Sequence, residues 1–465
     1  MAVDDLSTEL ASPRLVRTLG LWDVTAITAG TILGSAIFLA AAFIPREVPH
    51  ATLAMLLWVA GGLIAVAGAL TYAELGAMFP EAGGQYHYIK QAFGPLWGFL
   101  FGWTSLLAIQ AGANAYLGVA FGEYLGAFLP FFSSTRVIVS IPVGAWTWEP
   151  NTVQLAGVSA IAVLSVVNYF GTKQGARVQG AFTAIKLLSV ASLIGFGLLA
   201  PAKVAPDWTA PLPHGNLIAA MGLAIVAVLG NFDGWYQATL SAGEIKRPER
   251  NLPLGMIGGT VLIGVVYLLV NLVYFRALPL SQIGASARIG EEAMTALLGP
   301  AAGRLLAAAV LISVFGCLSS AIIGASRLGL PMSQDAASCR WLARIHPRYQ
   351  TPTASIATLG VWSMLLVLTG SYEQLFQYSL FASLIFHVIT GLALFRLRRT
   401  RPDMPRPCRV IGYPWVPALF LVAMTGLVLN TLYERPFQSI LGLGLVALAV
   451  PFFRWRSTAA LPGVP

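Results

Sequence analysis

Apolar residues along this chain come in long unbroken runs, not in the alternation of a half-buried strand or the one-sided stripe of a surface helix. Twelve runs can be marked: Leu21 to Ile44, Ala51 to Phe79, Leu96 to Leu125, Val153 to Phe170, Ala181 to Leu199, Leu217 to Gly243, Leu254 to Phe275, Leu305 to Leu330, Thr353 to Leu368, Leu375 to Leu394, Pro417 to Leu432 and Ile440 to Phe453. Each lies near the roughly 17 to 25 residues a tilted helix needs to cross the hydrocarbon core. The pattern predicts an all-α integral membrane protein with twelve transmembrane helices. The polar stretches between the runs are short, and no linker or low-complexity segment marks off a soluble domain.

Two runs carry interruptions at their centres: GTILGSAIF (30–38) in the first span and LGNFDGWYQ (229–237) in the sixth. They stand five spans apart. Glycine-interrupted segments at matching places of two five-helix halves are the mark of an inverted-repeat transporter, with substrate held where the helices unwind. This divides the chain into a tail (1–20), a first repeat of spans one to five (21–199), a second of spans six to ten (217–396), and spans eleven and twelve with the C-terminal tail (397–465). A break in lipid exposes backbone N–H and C=O groups at several kcal/mol each, so a partner must satisfy them. A zwitterion can, its carboxylate accepting from freed N–H groups and its ammonium donating to freed carbonyls. A packing notch and a simple kink are the alternatives for either site alone; the matched pair favours a binding site.

Composition agrees: of 465 residues, 57% are hydrophobic and 10% charged, where soluble domains carry roughly 25%. The net charge of +9 would suit nucleic acid if it were clustered, but it alternates by loop. Twenty basic residues fall on one side, including Lys246, Arg247, Arg250 and the run from Arg396 to Arg409, against seven on the other. The positive-inside rule therefore predicts a multi-pass cell (inner) membrane protein with both termini cytoplasmic, and the polybasic run is read as a topology anchor that meets anionic lipid. The acidic start lacks the build of a cleavable signal, so the first span is expected to direct insertion. No nucleic acid partner is expected. Cys317, Cys339 and Cys408 fall in the eighth span and cytoplasmic loops, which leaves no extracellular disulfide.

Chemistry is signalled only weakly. There is no P-loop, the five histidines lack ligand spacing, and GLGLVA (442–447) matches a dinucleotide pattern without the strand it would need. No nucleophile-base pair stands out. No cofactor, metal or enzymatic activity is expected, and the lack of an output domain counts against a sensor.

The residues of GTILGSAIF, TYAELGAMFPEAGGQYHYIKQAFGP (71–95), FDGWYQATLSAGEIKRPERNLP (232–253) and SRLGLPMSQD (326–335), in that order over nearly the whole chain, resemble the amino acid-polyamine-organocation superfamily, and within it the L-type amino acid transporter branch and its bacterial relatives. The resemblance implies a sodium-independent amino acid transporter working by alternating access, an exchanger or facilitative carrier of neutral amino acids, large ones included. The alternative is a proton-coupled symporter of amino acids, cationic amino acids or polyamines. The N–H groups of Ser35 and Ala36 would hold the substrate carboxylate, and the carbonyls of Ile32, Gly230, Asn231 and, as a further candidate, Asp233 its ammonium. Two residues depart from the family. Ala36 stands where glycine is usual, and its methyl should narrow the notch. Gly230 stands where an aromatic gate is common, which predicts a roomier pocket that prefers larger side chains. The outer loop from Pro130 to Thr152 has no cysteine, so no disulfide-linked heavy chain is expected, and the protein should act as a monomer or weak homo-oligomer.

Lys186 lies inside the fifth span, where a charge costs a few kcal/mol at minimum and marks a functional partner unless the side chain snorkels. By resemblance it occupies the place of a sodium ion, bridging the broken first span and the eighth, where Ser319 and Ser320 could line the same place. Asp233 is expected to cap the helix that follows the sixth-span break; a cationic substrate or a proton site is its alternative. Glu74, Glu123 and Glu244 are read as water-accessible partners of basic residues, His387 as a satisfied inter-helix hydrogen bond, and Arg327 as an anchor of the inner gate.

Overall fold

The structure is a computed structural model describing residues 17–79, 84–143, 146–170, 175–209, 211–212, 216–326, 328–329, 332–333, 339, 341–342, 344–349 and 351–457. Arg327 with half of the 326–335 motif, and part of the 71–95 motif, lie outside these residues. Among the described residues, ten helical segments are long and apolar enough to cross a membrane; the helix Thr353–Val367 and the apolar stretch Gly442–Phe453 are shorter. Spans keep the ordinal names of the twelve apolar runs.

Local chemistry sets several boundaries. Asn216 caps the sixth span by accepting from the Ala219 N–H at 3.3 Å. The seventh span, Pro248–Ala277, starts with proline in its first turn and Glu249 beside it, both suited to a helix N-terminus. A capping box opens the tenth span, Tyr372–Thr400: Ser371 Oγ accepts from the Gln374 N–H, and Gln374 Oε1 from the Ser371 N–H. In the third span a π turn at Ser105–Gln110 separates two α segments, Pro95–Thr104 and Ala111–Leu125. Such a turn frees carbonyls. Leu107 O accepts from Trp362 Nε1 at 2.7 Å and Ile109 O from Ser379 Oγ at 2.7 Å.

The spanning segments are helical, as expected, and a small ribbon stands beside them. In the loop between the third and fourth spans, Ile141–Val143 and Trp146–Trp148 pair as an antiparallel ribbon, pinned by Trp148 Nε1 donating to Leu368 O at 2.7 Å. The loop is rich in β-branched and aromatic residues, which suit a strand, and being outside the apolar runs it is free of the rule that backbone in lipid be helical.

The two interrupted spans do not run straight. The first is α-helical over Leu21–Ile32, leaves helical geometry at Leu33 and Gly34, and continues as short 3₁₀ turns, Ser35–Phe38 and Ala40–Ala42. The sixth is α-helical over Leu217–Phe232, turns at Asp233 and Gly234, and resumes as 3₁₀ at Gln237–Glu244. The ends of the two are joined: the Thr18 and Leu19 N–H groups donate to Glu244 O at 2.9 and 3.0 Å, and Lys246 N–H returns a bond to Leu19 O at 2.8 Å. The first half-helix packs on the seventh span, where a Cβ at Gly259 would come within 2.7 Å of Thr28 Cβ and 2.9 Å of Thr25 O. Glycine there permits the close approach.

Glu74 departs from its expected setting. It has no exposed surface, so water does not reach it, although the pairing with basic residues is present. Arg398 holds both its oxygens, at 2.8 and 2.5 Å, Arg406 lies 3.6 Å away, and the Val410 N–H donates to Oε2 at 2.7 Å. Chain 396–412, which a hydropathy reading leaves as a basic loop, folds back to bury this carboxylate at the end of the second span. Burial, with the Glu74 and Glu249 carboxylates nearby, pushes the Cys408 thiol up to about 11, which leaves it inert at neutral pH.

Candidate substrate site

Unwinding the first span frees carbonyls that its own helix no longer bonds, and four side chains from other spans take them up. Lys186 Nζ donates to Gly30 O at 3.0 Å. The Tyr267 hydroxyl reaches Ile32 O at 2.9 Å, the Tyr274 hydroxyl Ile37 O at 3.1 Å, and the Tyr124 hydroxyl Phe38 O at 3.0 Å. All three tyrosines have essentially no exposed surface. Tyr267 and Tyr274 stand seven residues apart, two helical turns, and so share one face of the seventh span. Hydropathy hid them, because tyrosine in an apolar run reads as bulk; the only available sign was that spacing.

Tyr267 also corrects the expected ammonium site. Its hydroxyl lies 3.0 Å from Asn231 O as well, so the carbonyls of Ile32 and Asn231, expected to be free, share one tyrosine. A hydroxyl has one proton. At any moment one of the two carbonyls is underserved, although Ile32 O also accepts from the Gly34 N–H at 2.7 Å. Gly230 O receives only the Asp233 N–H, at 3.4 Å.

The breaks also touch each other. Thr31 Oγ1 donates to Gly234 O at 3.1 Å, and a Cβ on Gly234 would lie 2.8 Å from Thr31 O. Gly234 has φ +116, so glycine is needed here for conformation and for space.

What stays unpaired is divided by charge preference. On the first span, the Ser35 and Ala36 N–H groups find no acceptor among the described residues, and Ser35 Oγ is buried without a partner. On the sixth, Asn231 Oδ1 and Asp233 Oδ1 are buried without a partner. Buried polar atoms cost free energy when unpaired, so one break offers donors to an anion and the other acceptors to a cation. Beside the breaks, Tyr116, Asp233 and Tyr236 are half-buried, each keeping some accessible surface.

The other expectations fare unevenly. Ala36 has negative φ within a 3₁₀ turn, so its methyl imposes no backbone strain. Asp233 does not cap the following helix: that 3₁₀ segment begins at Gln237 with Tyr236 as N-cap and no side-chain cap bond, because a turn intervenes. The space above Gly230 is not open, since a Cβ there would sit 2.4 Å from Phe376 Cζ and 2.8 Å from Leu380 Cδ2. Lys186 is 7% exposed, which rules out snorkelling. Ser319 and Ser320 are not joined to it: Ser320 Oγ bonds Gly316 O in its own helix, and Ser319 O accepts from Asn168 Nδ2. His387 hydrogen-bonds the Tyr72 hydroxyl of the second span at 2.6 Å and Ser383 at 3.2 Å.

A bundle of apolar helices long enough to cross a membrane, two of them interrupted with buried unpaired polar groups at the breaks, is the build of a multi-pass membrane carrier. Residues 19–445 match the amino acid permease family model, and the chain belongs to that family, as its four motifs suggested. It is similar to the serine/threonine exchanger SteT of Bacillus subtilis (strain 168), 28% identical over 94% of this chain and 96% of that protein. It is also similar to the human b(0,+)-type amino acid transporter 1, 30% identical over 93% and 87%, and to the human cystine/glutamate transporter, 28% identical over 95% and 85%.

Proposed function

We propose that this protein exchanges amino acids across the cell membrane by alternating access, without sodium, through twelve spans built as two inverted repeats of five plus two. The observation that carries the reading is the division of unpaired groups: donors at Ser35 and Ala36 for a carboxylate, acceptors at Asn231 Oδ1 and Asp233 Oδ1 for an ammonium, joined by the weakly bonded Gly230 O and by Ile32 O when Tyr267 turns to Asn231. An amino acid satisfies both sets at once. Lys186 supplies a fixed positive charge at the broken first span, where a bound cation would otherwise be needed. Relatives named as exchangers or amino acid transporters support the solute class. One relative is named a "small subunit", whereas the three cysteines of this chain are free thiols. We expect no disulfide-linked partner.

The test is labelled uptake into proteoliposomes. Loading the lumen with an amino acid mixture should raise uptake several-fold, and replacing sodium by choline should leave it unchanged. Strict sodium dependence would refute the reading.

One observation favours a second reading, in which a proton or a cationic side chain is handled as well. Asp233 is a buried carboxylate with no cation beside it among the described residues, and an isolated buried charge is costly. If it serves only the ammonium, Asp233→Asn should raise KM about equally for neutral and cationic amino acids. Selective loss of lysine and arginine uptake, or loss of a dependence on the pH gradient, would establish the second reading.

A further inference from the structure

Resting on the reading of the chain as an amino acid carrier, we propose that Phe376 of the tenth span is the specificity-determining lid over the sixth-span break, the ring that limits the size of the side chain carried. The sixth-span break has only hydrogen at Gly230, and the tip of the Phe376 ring enters that space: an added Cβ would lie 2.4 Å from Phe376 Cζ and 2.9 Å from Cε1. The ring is buried, at 2% exposure, and three others fix its place. Tyr372 stacks on it one turn earlier, with centroids 5.9 Å apart and 19° between planes. Phe43, just past the 3₁₀ turns of the first span, meets it edge-on at 6.0 Å, and Tyr116 of the third span at 5.2 Å. Tyr116 is itself half-buried, so the ring cluster links the third and tenth spans to the first beside the break.

Geometry then constrains the cargo. An amino acid whose charged groups bridge the two breaks must direct its side chain away from both backbones. Beside Gly230 that direction is closed by an aromatic ring held on three sides. Two elements thus share one volume, since a large residue at position 230 and a phenylalanine at 376 cannot coexist. The lid belongs to the tenth span rather than to the interrupted sixth, so its position does not depend on the local winding of the break.

Initial uptake rates of L-serine, L-threonine, L-leucine and L-phenylalanine into proteoliposomes test this. Phe376→Ala should raise kcat/KM for leucine relative to serine by about tenfold or more, the scale on which a few methylene groups are discriminated in an apolar pocket; Phe376→Leu, which keeps the core filled, should shift the ratio in the same direction by less. Gly230→Ala should depress uptake of all four by driving the ring inward, and adding Phe376→Leu to it should restore uptake. A leucine-to-serine ratio that stays within twofold of wild type in both Phe376 variants, or a Gly230→Ala defect that Phe376→Leu leaves unrepaired, overturns the assignment of the lid. Wild-type protein that carries none of the four overturns the carrier reading itself, and the lid with it.

Discussion

Replacing Glu74 by alanine is expected to destabilise the protein by about 3 to 5 kcal/mol, the usual cost of removing one partner from a buried ion pair and stranding the other. Two guanidinium groups and one backbone N–H would lose their acceptor together. Arg398 has 19% of its side chain exposed and Arg406 8%, so water can recover only part of the loss. Arg406 also donates to Leu397 O, Arg401 O, Pro402 O and Met404 O. The damage should therefore spread along chain 396–412 and expose Cys408. Thermal unfolding in detergent should show a clearly lowered midpoint, and maleimide labelling of Cys408 should rise in the folded variant. A variant with unchanged midpoint and a protected thiol would mean that the arginines hold the loop without the carboxylate. Glu74→Gln should fall between, because it keeps the shape and one acceptor while losing the charge.

Replacing Lys186 by alanine or methionine should cut uptake on the order of 10- to 100-fold, the equivalent of losing a charge-assisted hydrogen bond of about 1.5 to 3 kcal/mol. The unfolding midpoint should barely move in the methionine variant, which keeps most of the buried stem. The reasoning is local: Gly30 O is freed by the break and receives Lys186 Nζ, so without the ammonium that carbonyl is left underserved and the geometry of the break loosens. Arginine should not rescue, since its planar guanidinium is longer and cannot replace a point donor. Uptake that survives intact in Lys186→Met would show that the lysine serves packing alone.

Much of the architecture was visible in the order of residues, for definable reasons. Lipid forces every spanning backbone to satisfy itself, so apolar runs fix helices and their length. The second and fourth runs match their helices closely, Ala51–Met78 and Thr152–Phe170, whereas the seventh helix, Pro248–Ala277, begins before its run at the polar segment 248–253. Gly34 and Asp233-Gly234 stood out because few other features break an oily helix. Conversely, the ribbon of Ile141–Val143 and Trp146–Trp148 lies outside the apolar runs, where hydropathy says nothing about backbone form.

The site was only half visible. Ser35, Asn231 and Asp233 sit at breaks, and their unpaired atoms follow from the chain leaving helical geometry there. Tyr267, Tyr274, Tyr124 and Phe376 come from spans whose sequence shows no interruption. Each of those tyrosines touches a broken helix through one hydroxyl, between 86 and 237 residues away in the chain. The roomy pocket read from Gly230 failed for the same reason: an absent side chain is a local fact, whereas what fills its place arrives from another helix.

Sequence by itself marked the long apolar helices, the two of them that break, and a lysine within the fifth, because these depend on short-range backbone chemistry and on the cost of polarity in hydrocarbon. Tertiary structure alone decided that Asp233 does not cap, that the freed carbonyls go to three tyrosines and a lysine, and that Phe376 stands over Gly230. Those outcomes depend on which helix faces which, a matter of packing among residues distant in the chain, and no local pattern encodes it.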